Sequence, residues 1–430
     1  MPQRQYNAKR CKVTKDNKRI VLPISWPDYR DLSQDASAFR GGLDQMIATY
    51  PELFPREIAA GYSLHDILPA SVKMPEVQLR RICLKQKDEQ GQAQVLTITS
   101  SDILPYMTGY TAEVEKALFL RRFGVPFWAL SYVFGRNDAY WYRLDTHLGR
   151  YEIVATTVKT ADKLPEHLLA DEKHVRFNGQ KGYIATTVGA DCVLGASLSL
   201  SADEAGLTEA YRPFKAEAQR LDPDYKPQTV NNDGWLATQK AWQVLFVTIT
   251  VIECFLHAFL KIRDRCKKHD RAVFENIQQQ VWNIYRASDA PDFRHKAADF
   301  LTWARQTLSG PALQAIEKLV AKTDKFILAF DFPAAYRTSN MIDRHMEPMD
   351  RWLHSSRFFH GHWSSAELQI RSWALCHNFW PYCSRAKVSQ QFISPAHKLN
   401  GFVYHNNWLH NLLISSSSAH LTVNHRKRQN

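Results

Sequence analysis

Three aspartates have a spacing and a setting that could bring metal-binding carboxylates together. Asp171 ends an apolar run on a predicted strand, Asp233 follows a later predicted strand, and Asp343 lies early in a predicted helix. A carboxylate inside a buried strand costs desolvation free energy unless it binds a cation. Strand ends that lie side by side form the site of an open α/β sheet. Three such carboxylates can hold two Mg²⁺ ions about 4 Å apart, which stabilise the attacking and leaving oxygens of a phosphodiester displacement.

Each aspartate also has an ordinary structural interpretation. Asp171 could pair with Lys173 or Arg176, and Asp233 lies in Asn-Asn-Asp-Gly, a common turn and helix-capping sequence. Asp343 could form a solvated surface pair with the arginine that follows it. Their joint placement on one order of strands favours the metal-binding interpretation.

The segments that would position these aspartates alternate between strand and helix periodicity. We predict strands at 167–177, 182–188, 193–200, 228–232 and 248–254, with helices at 203–221 and 235–244. Asn178-Gly179 is a strong hairpin signal between the first two strands. The order β-β-β-α-β-α-β predicts an α/β fold with a mixed sheet, in which parallel strands continue an antiparallel set. Residues 151–159 are predicted as a strand or an extended linker.

A predominantly helical region follows the last strand. Residues 256–335 are predicted as helices with breaks near His269, at Ala290-Pro291 and at Gly310-Pro311, and a further helix begins near Ser339. The aromatic-rich stretch 352–380 is predicted as core packing against the sheet.

Three short helices upstream of the sheet resemble a helix-turn-helix. They are predicted at 112–123, 127–134 and from Asn137, a good N-cap, to about 147. Spacings of four, three and four put the predicted DNA contacts on one face of the third helix: Arg136, Tyr140, Arg143 and His147. The alternative is three ordinary core helices, because Trp128, Phe134 and Trp141 are typical core residues.

The composition bounds the class of protein. The 430 residues are 45 % hydrophobic and 23 % charged, which excludes wholesale disorder. Seven cysteines without a Cys-x-x-Cys pair favour a reducing compartment, and the start Met-Pro-Gln-Arg carries no apolar signal segment. The apolar stretch 244–260 contains Glu253 and His257, so we interpret it as a buried strand and helix rather than a membrane span.

The formal charge of +12 is concentrated near the two ends of the chain. Residues 1–30 hold eight Lys or Arg against two Asp, and residues 368–430 hold seven Lys or Arg and no acid. The remaining body is close to neutral. Such basic arms are typical of proteins that bind a polyanion.

The first 75 residues are predicted to be irregular. Two strands at 78–84 and 94–99 are predicted to form a hairpin after them.

The order of these elements resembles the DDE transposases of bacterial insertion sequences, in the Mutator-like group. The resemblance covers about 160–375. It includes Asp171 before a hairpin, Asp233 after a later strand, Cys254-Phe-Leu-His257 in the position of a Cys-x-x-His motif, and a helical insertion. Asn340-Met-Ile-Asp343-Arg344 stands where the family has Asn-x-x-Glu-Arg. Asp replaces the usual third acid, Glu, and Glu347 one turn further along is an alternative third ligand.

The resemblance implies an RNase H-like core in which Asp171, Asp233 and Asp343 bind two Mg²⁺ ions, with Mn²⁺ as a substitute. It implies cleavage and transfer of DNA strands at terminal inverted repeats into target DNA, and a homodimer or higher assembly at the nucleoid in the cytoplasm, without a membrane partner. One alternative is an inactive, transposase-derived DNA-binding regulator, which the Asp at position 343 favours. Another is an RNase H-class nuclease.

The predicted regions follow from these elements. They are an N-terminal region with a basic arm and hairpin (1–110), a helix-turn-helix region (111–158), the first part of the core (159–264), the helical insertion (265–335), the final core helices (336–385) and a basic C-terminal tail (386–430).

Overall fold

The computed structural model describes residues 13–15, 18–87, 91, 93–266, 271–417, 419 and 421–423. Three predicted features lie wholly or partly outside these residues. They are the outer parts of both basic arms, most of the turn of the N-terminal hairpin, and the helix break near His269.

A four-stranded sheet forms the N-terminal region. The elements of this region are β1 (Val13–Lys15), which lies outside the sheet, β2 (Arg19–Leu22), α1 (Trp26–Gln34), α2 (Ala36–Thr49), β3 (Tyr62–Leu68), β4 (Leu79–Lys87) and β5 (Ala93–Ser100). The strand order is β2-β5-β4-β3, and β4 and β5 are the predicted antiparallel hairpin. The prediction of an irregular segment 1–75 is wrong, because Ser25 and Asp35 cap two helices whose Tyr29, Phe39 and Leu43 are fully buried.

Three helices follow: α3 (Thr111–Arg121), α4 (Phe127–Phe134) and α5 (Asp138–Leu148). The Asn137 side chain accepts a hydrogen bond from the backbone of Tyr140, which is the predicted cap. Trp141 is buried, whereas Trp128 is 65 % exposed, so the expectation that Trp128 is a core residue is wrong. Residues 151–159 also differ from prediction. They contain the short helix α6 (Ile153–Thr157), whose buried Val154 donates its backbone N–H to Glu217.

The central sheet has five strands in the order β10-β9-β6-β7-β8. They and their two helices are β6 (His167–Phe177), β7 (Gln180–Gly189), β8 (Cys192–Ser199), α7 (Glu204–Leu221), β9 (Thr229–Asn232), α8 (Leu236–Leu245) and β10 (Thr250–Glu253). The first three strands pair antiparallel, and β9 and β10 continue the sheet in parallel with β6. The predicted order of elements and the mixed α/β sheet are therefore confirmed.

The rest of the chain is mostly helical. Its elements are α9 (Phe255–Cys266), α10 (Arg271–Tyr285), α11 (Ala290–Thr307), α12 (Gly310–Val320), α13 (Thr323–Phe326), α14 (Asn340–Ser355), α15 (Trp363–Phe379), α16 (Pro395–Asn400), α17 (Trp408–Ser415) and β11 (Leu421–Val423). The predicted breaks at Ala290-Pro291 and Gly310-Pro311 are the starts of α11 and α12, where proline occupies the first turn.

The two faces of the central sheet are covered by different helices. One face packs on α6, α7 and α8, while the other meets α14 and α15, which supply the buried Trp352 and Trp373. Helices α9 to α13 enclose a separate apolar cluster around Phe255, Phe293 and Phe300. The prediction of core packing in the aromatic-rich stretch is confirmed for its buried tryptophans.

The C-terminal segment is not a free basic tail. The apolar side chains of α17 are buried, and the helix packs on β2, α3 and α15. The backbone N–H of Val21 in β2 donates to Ser417 Oγ at 2.9 Å, and β11 pairs antiparallel with β1. The N-terminal sheet and the C-terminal segment therefore share one core. Among the described residues, no helix is both long enough and apolar enough to cross a membrane.

Candidate active site

Asp171 and Asp233 come from neighbouring parallel strands of the central sheet. The described register pairs Leu169 of β6 with Asn231 of β9, and two further steps along both chains reach Asp171 and Asp233. Adjacent strands lie about 4.8 Å apart, so the two aspartates start from neighbouring backbone positions. The backbone N–H of Glu172 donates to Asp171 Oδ1 at 2.8 Å, and that of Trp235 donates to Asp233 Oδ1 at 2.9 Å. Asp233 thus also shapes the turn before α8.

Asp343 reaches the same neighbourhood from α14. It lies in the first turn of this helix, which packs against β6. The pKa of Asp171 is raised to about 6, chiefly by burial and also by the negative charges of Asp233 and Asp343, against the opposing effects of a backbone hydrogen bond and His257. The structure therefore brings the three predicted aspartates into one electrostatic environment, which we call the acid cluster.

The basic residues offered as ordinary partners do not neutralise the acid cluster. Lys173 forms an ion pair with Asp350 of α14 instead of Asp171. Within the described part of the chain, none of the three aspartates forms an ion pair with a basic side chain. Glu347, the alternative third ligand, has an exposed side chain that forms an ion pair with Arg351 at 3.5 Å. Asp343 is the acid of α14 that acts on Asp171.

The donor chemistry of the acid cluster fits Mg²⁺, which prefers carboxylate oxygens. Its carboxylates lie farther apart than the ligands of a formed metal centre. Among the described residues, no three His, Cys, Asp or Glu side chains stand close enough to hold a metal ion as they are. Asp171 and Asp233 are half-buried and Asp343 is exposed. Together they have the charge for a cation, and their side chains would have to move closer together to bind one.

Cys254 and His257 form a hydrogen-bonded group beside the acid cluster, together with Ser339. Ser339 receives the thiol hydrogen bond of Cys254 at 3.3 Å and lies 3.2 Å from His257 Nδ1. Its hydroxyl also donates to Asp343 Oδ2 at 3.3 Å. This serine precedes α14 and links the end of β10 to the third aspartate. Asn340 and Arg344, the other motif residues, are exposed on the first turn of α14.

The electrostatics of this group follow from its contacts. The hydrogen bond with Cys254 raises the pKa of His257 to about 8 against the effect of burial, and the charges of Asp343 and Asp233 add to the rise. Burial raises the pKa of the Cys254 thiol, but hydrogen bonds with His257 and Ser339 outweigh this effect, and the net change in the pKa is downward. His257 is therefore a cation next to the acid cluster at neutral pH.

Sequence reasoning missed three contributors to this site. The sequence indicates Ser339 only weakly, through its position immediately before a predicted helix. Glu172 is buried on the opposite face of β6, where it accepts hydrogen bonds from Tyr211 at 2.6 Å and Thr238 at 2.8 Å, and burial raises its pKa to about 7. Glu253 ends β10, where Lys322 and Lys325 neutralise it. Their partners come from distant segments, so local sequence gives little indication of these roles.

A cleft of about 460 Å³ opens beside Asp233. Its other walls are α9 and α12, which contribute the exposed basic side chains of Lys261, Arg265 and Lys318. Gly234 has φ +92°, and a Cβ there would stand 3.0 Å from Glu253 Oε2. Glycine is therefore required where the chain turns from Asp233 toward the cleft.

The four predicted DNA contacts do not form one exposed helix face. Arg136 precedes α5, has φ +60° and pairs with Glu113 at 3.1 Å. Burial lowers the pKa of His147 to about 3, so this side chain carries no positive charge for a phosphate. Tyr140, Arg143 and His147 instead line a second cavity of about 430 Å³. The prediction is wrong for Arg136, because helix α5 starts after it. Tyr140, Arg143 and His147 do share a helix face, and this face lines the cavity.

A comparison with known protein families and with curated proteins finds no match to this chain.

Proposed function

We propose that this protein is a DNA transposase with an RNase H-like core, which cleaves and transfers DNA strands in a Mg²⁺-dependent reaction. The observation that carries the proposal is the acid cluster. Two neighbouring parallel strands and a covering helix bring Asp171, Asp233 and Asp343 into one electrostatic environment. No Lys or Arg of the described structure pairs with them, and the cation beside them is His257. A stable fold gains nothing from this repulsion, which is typical of a site that binds cations.

The sheet and the insertion support the same proposal. Three antiparallel strands followed by two parallel strands with helical crossovers are the arrangement expected of an RNase H-like core. Helices α10 to α13 come between α9, which carries His257, and α14, where the resemblance places an insertion. The three helices α3 to α5 are proposed to contact the element ends. Pairing of two ends then requires at least a dimer.

Each group near the acid cluster has a proposed task. Asp171, Asp233 and Asp343 would hold Mg²⁺, which supplies positive charge to the phosphodiester undergoing displacement. Ser339 and His257 keep the Asp343 carboxylate oriented toward the sheet. Lys261, Arg265 and Lys318 lie where a DNA backbone leaving Asp233 would pass. Most of the catalytic effect then comes from positioning and electrostatics.

The test removes one charge at a time. Asp171→Asn or Asp233→Asn should abolish nicking and strand transfer on DNA carrying the element ends, while binding of those ends stays nearly unchanged. Asp331→Asn, an exposed aspartate in the helical region, is the matched control and should cleave like the wild type. Cleavage that persists in purified Asp233→Asn protein would disprove the site assignment.

The second candidate is a DNA-binding regulator derived from a transposase and without catalysis. Two observations favour it, namely the absence of a formed metal group among the described residues and the shorter Asp at position 343. Wild-type protein that binds end DNA but does not nick it with Mg²⁺ or Mn²⁺ would establish the regulator. Asp343→Glu distinguishes the two further, since it should retain or raise nicking in an active transposase and change nothing in a regulator.

A further inference from the structure

The cavity between α5, α15 and the turn before α3 has a composition unlike that of the acid cluster. Its volume is about 430 Å³, which is within the range for one small ligand. The side chains that line it include three tyrosines and three basic residues and no acid: Tyr106, Tyr140, Tyr142, Lys73, Arg143 and Arg150. A ligand with a negative charge and a flat aromatic ring matches this wall.

The backbone that presents Tyr106 is strained. Tyr106 and Met107 both have left-handed backbone angles, with φ +60° and +48°, which non-glycine residues rarely adopt. The turn is held by the Ser71 hydroxyl, which donates to the Met107 carbonyl at 3.0 Å. The result is a tyrosine ring that is 69 % exposed at the mouth of the cavity, 5.3 Å from the His147 ring. Strain of this kind is retained where it serves a site.

One tyrosine that lines the cavity carries a buried polar atom without a hydrogen-bond partner. The Tyr140 hydroxyl is shielded from solvent and forms no hydrogen bond within the described structure. An unpaired buried hydroxyl costs free energy in the fold. His147 lines the same cavity with its pKa lowered to about 3, chiefly by burial, so it presents a neutral ring. The positive charge of the wall therefore comes from Lys73, Arg143 and Arg150.

We propose that this cavity holds one unpaired nucleotide of DNA, with its base against Tyr106 and its phosphate on Arg143 and Arg150. Stacking on tyrosine tolerates any base, because every base has a π-face. A nucleotide enters such a cavity only when it is outside the duplex, as at a single-stranded overhang or a frayed end. The choice of DNA as the source rests on the proposed function. The chemistry of the wall fixes only an anionic, aromatic ligand.

The test compares two labelled DNA probes in EDTA, so that catalysis plays no part. One is a blunt duplex and the other is the same duplex with a five-nucleotide overhang, and anisotropy gives both dissociation constants. The wild type should prefer the overhang, and Tyr106→Leu should weaken overhang binding about ten- to a hundredfold while leaving blunt-duplex binding unchanged. Arg143→Gln should also weaken overhang binding. Because the Arg143 side chain is exposed, this substitution should leave the fold intact. Tyr132→Leu, an exposed tyrosine on α4, and Arg212→Gln on α7 are matched controls.

The outcomes separate this proposal from the proposed function. Equal binding of both probes by the wild type, or unchanged overhang binding in both Tyr106→Leu and Arg143→Gln, overturns the nucleotide cavity. If the wild type binds dAMP but shows no preference for the overhang, the cavity is a site for a free nucleotide, and the proposal of an unpaired DNA nucleotide is also overturned. An overhang preference that persists in a protein shown not to cleave DNA leaves the cavity standing while the transposase proposal fails.

Discussion

Asp171 is placed where a carboxylate lowers the stability of the fold. It lies in the middle of β6, is largely buried, and faces the charges of Asp233 and Asp343. Its pKa rises from the usual 3.8 to about 6 because burial and like charges disfavour the ionised form. The folded protein therefore binds a proton at Asp171 more tightly than the unfolded chain does. Stability decreases as pH rises from about 4 to about 6 and stays lower above that range.

Asp171→Asn should therefore stabilise the protein at pH 7. The expected gain in the free energy of unfolding is on the order of 1–3 kcal/mol, since each pKa unit corresponds to about 1.4 kcal/mol. The measurement is urea unfolding at pH 4, 5, 6 and 7, and the gain should shrink toward pH 4. Asp331→Asn provides the exposed control and should change stability little at any pH. An Asp171→Asn protein less stable than the wild type at pH 7 would contradict the repulsion described here.

At the scale of elements, helices α9 and α12 form a basic wall beside Asp233. Lys261 and Lys318 are exposed on this wall, whereas Lys322 is already paired with Glu253. If DNA follows the cleft, the two exposed lysines contact phosphates and release counterions on binding.

Lys261→Gln and Lys318→Gln should each weaken DNA binding and reduce the salt slope by about one, and the double variant by about two. The slope of the logarithm of the binding constant against the logarithm of salt concentration is the measurement. Lys226→Gln is the control, because Lys226 is exposed just before β9, at the opposite end of that strand from Asp233. A slope that changes equally in all three single variants would show that only general charge is measured.

The elements of the central sheet were predictable from sequence, whereas several others were not. The bounds predicted for β6, α4 and α7 agree with the structure to within one residue, because each has a clear period, a turn signal or a cap. Helix α6 was predicted as a strand or linker because its β-branched residues favour strands, and tertiary burial against α7 overrides that preference. Helices α1 and α2 were missed although their caps, Ser25 and Asp35, are visible in the sequence.

The candidate site was predictable in part, for the same reason. Asp171 and Asp233 could be placed together because strand order determines which strand ends are neighbours. Ser339 and Glu253 could not, because their roles depend on partners in distant segments of the chain. The predicted face of α5 was wrong for Arg136, because periodicity does not indicate where a helix starts, whereas its other three residues line one cavity.

For the whole molecule, the two ends of the described chain belong to one core rather than to separate arms. Helix α17 fills space between β2, α3 and α15. Some of the basic residues near the ends are also engaged within the fold. Arg371 is buried and donates to Glu217 at 2.7 Å, and Lys398 pairs with Asp191 at 3.2 Å. The net charge of these segments therefore overstates the charge available to DNA.

Leu412→Ala should destabilise the protein by about 2–5 kcal/mol, because Leu412 of α17 is fully buried and its truncation leaves a cavity. The free energy of unfolding in urea, followed by tryptophan fluorescence, is the measurement. Leu236→Ala on α8 removes a side chain that is 60 % exposed, so it should cost less than about 0.5 kcal/mol. Equal effects of the two substitutions would be inconsistent with a C-terminal helix inside the core.

The long separation of the three aspartates along the chain affects synthesis as well as structure. Asp171 and Asp233 precede helices α9 to α13, and Asp343 follows them. A nascent chain still on the ribosome therefore has only two of the three carboxylates until the whole helical region has been translated. A protein released early by a premature stop within that region would also lack α14, α15 and α17. Because α15 packs on α5 and α17 packs on α3, such a fragment would also lose the packing partners of helices near its beginning.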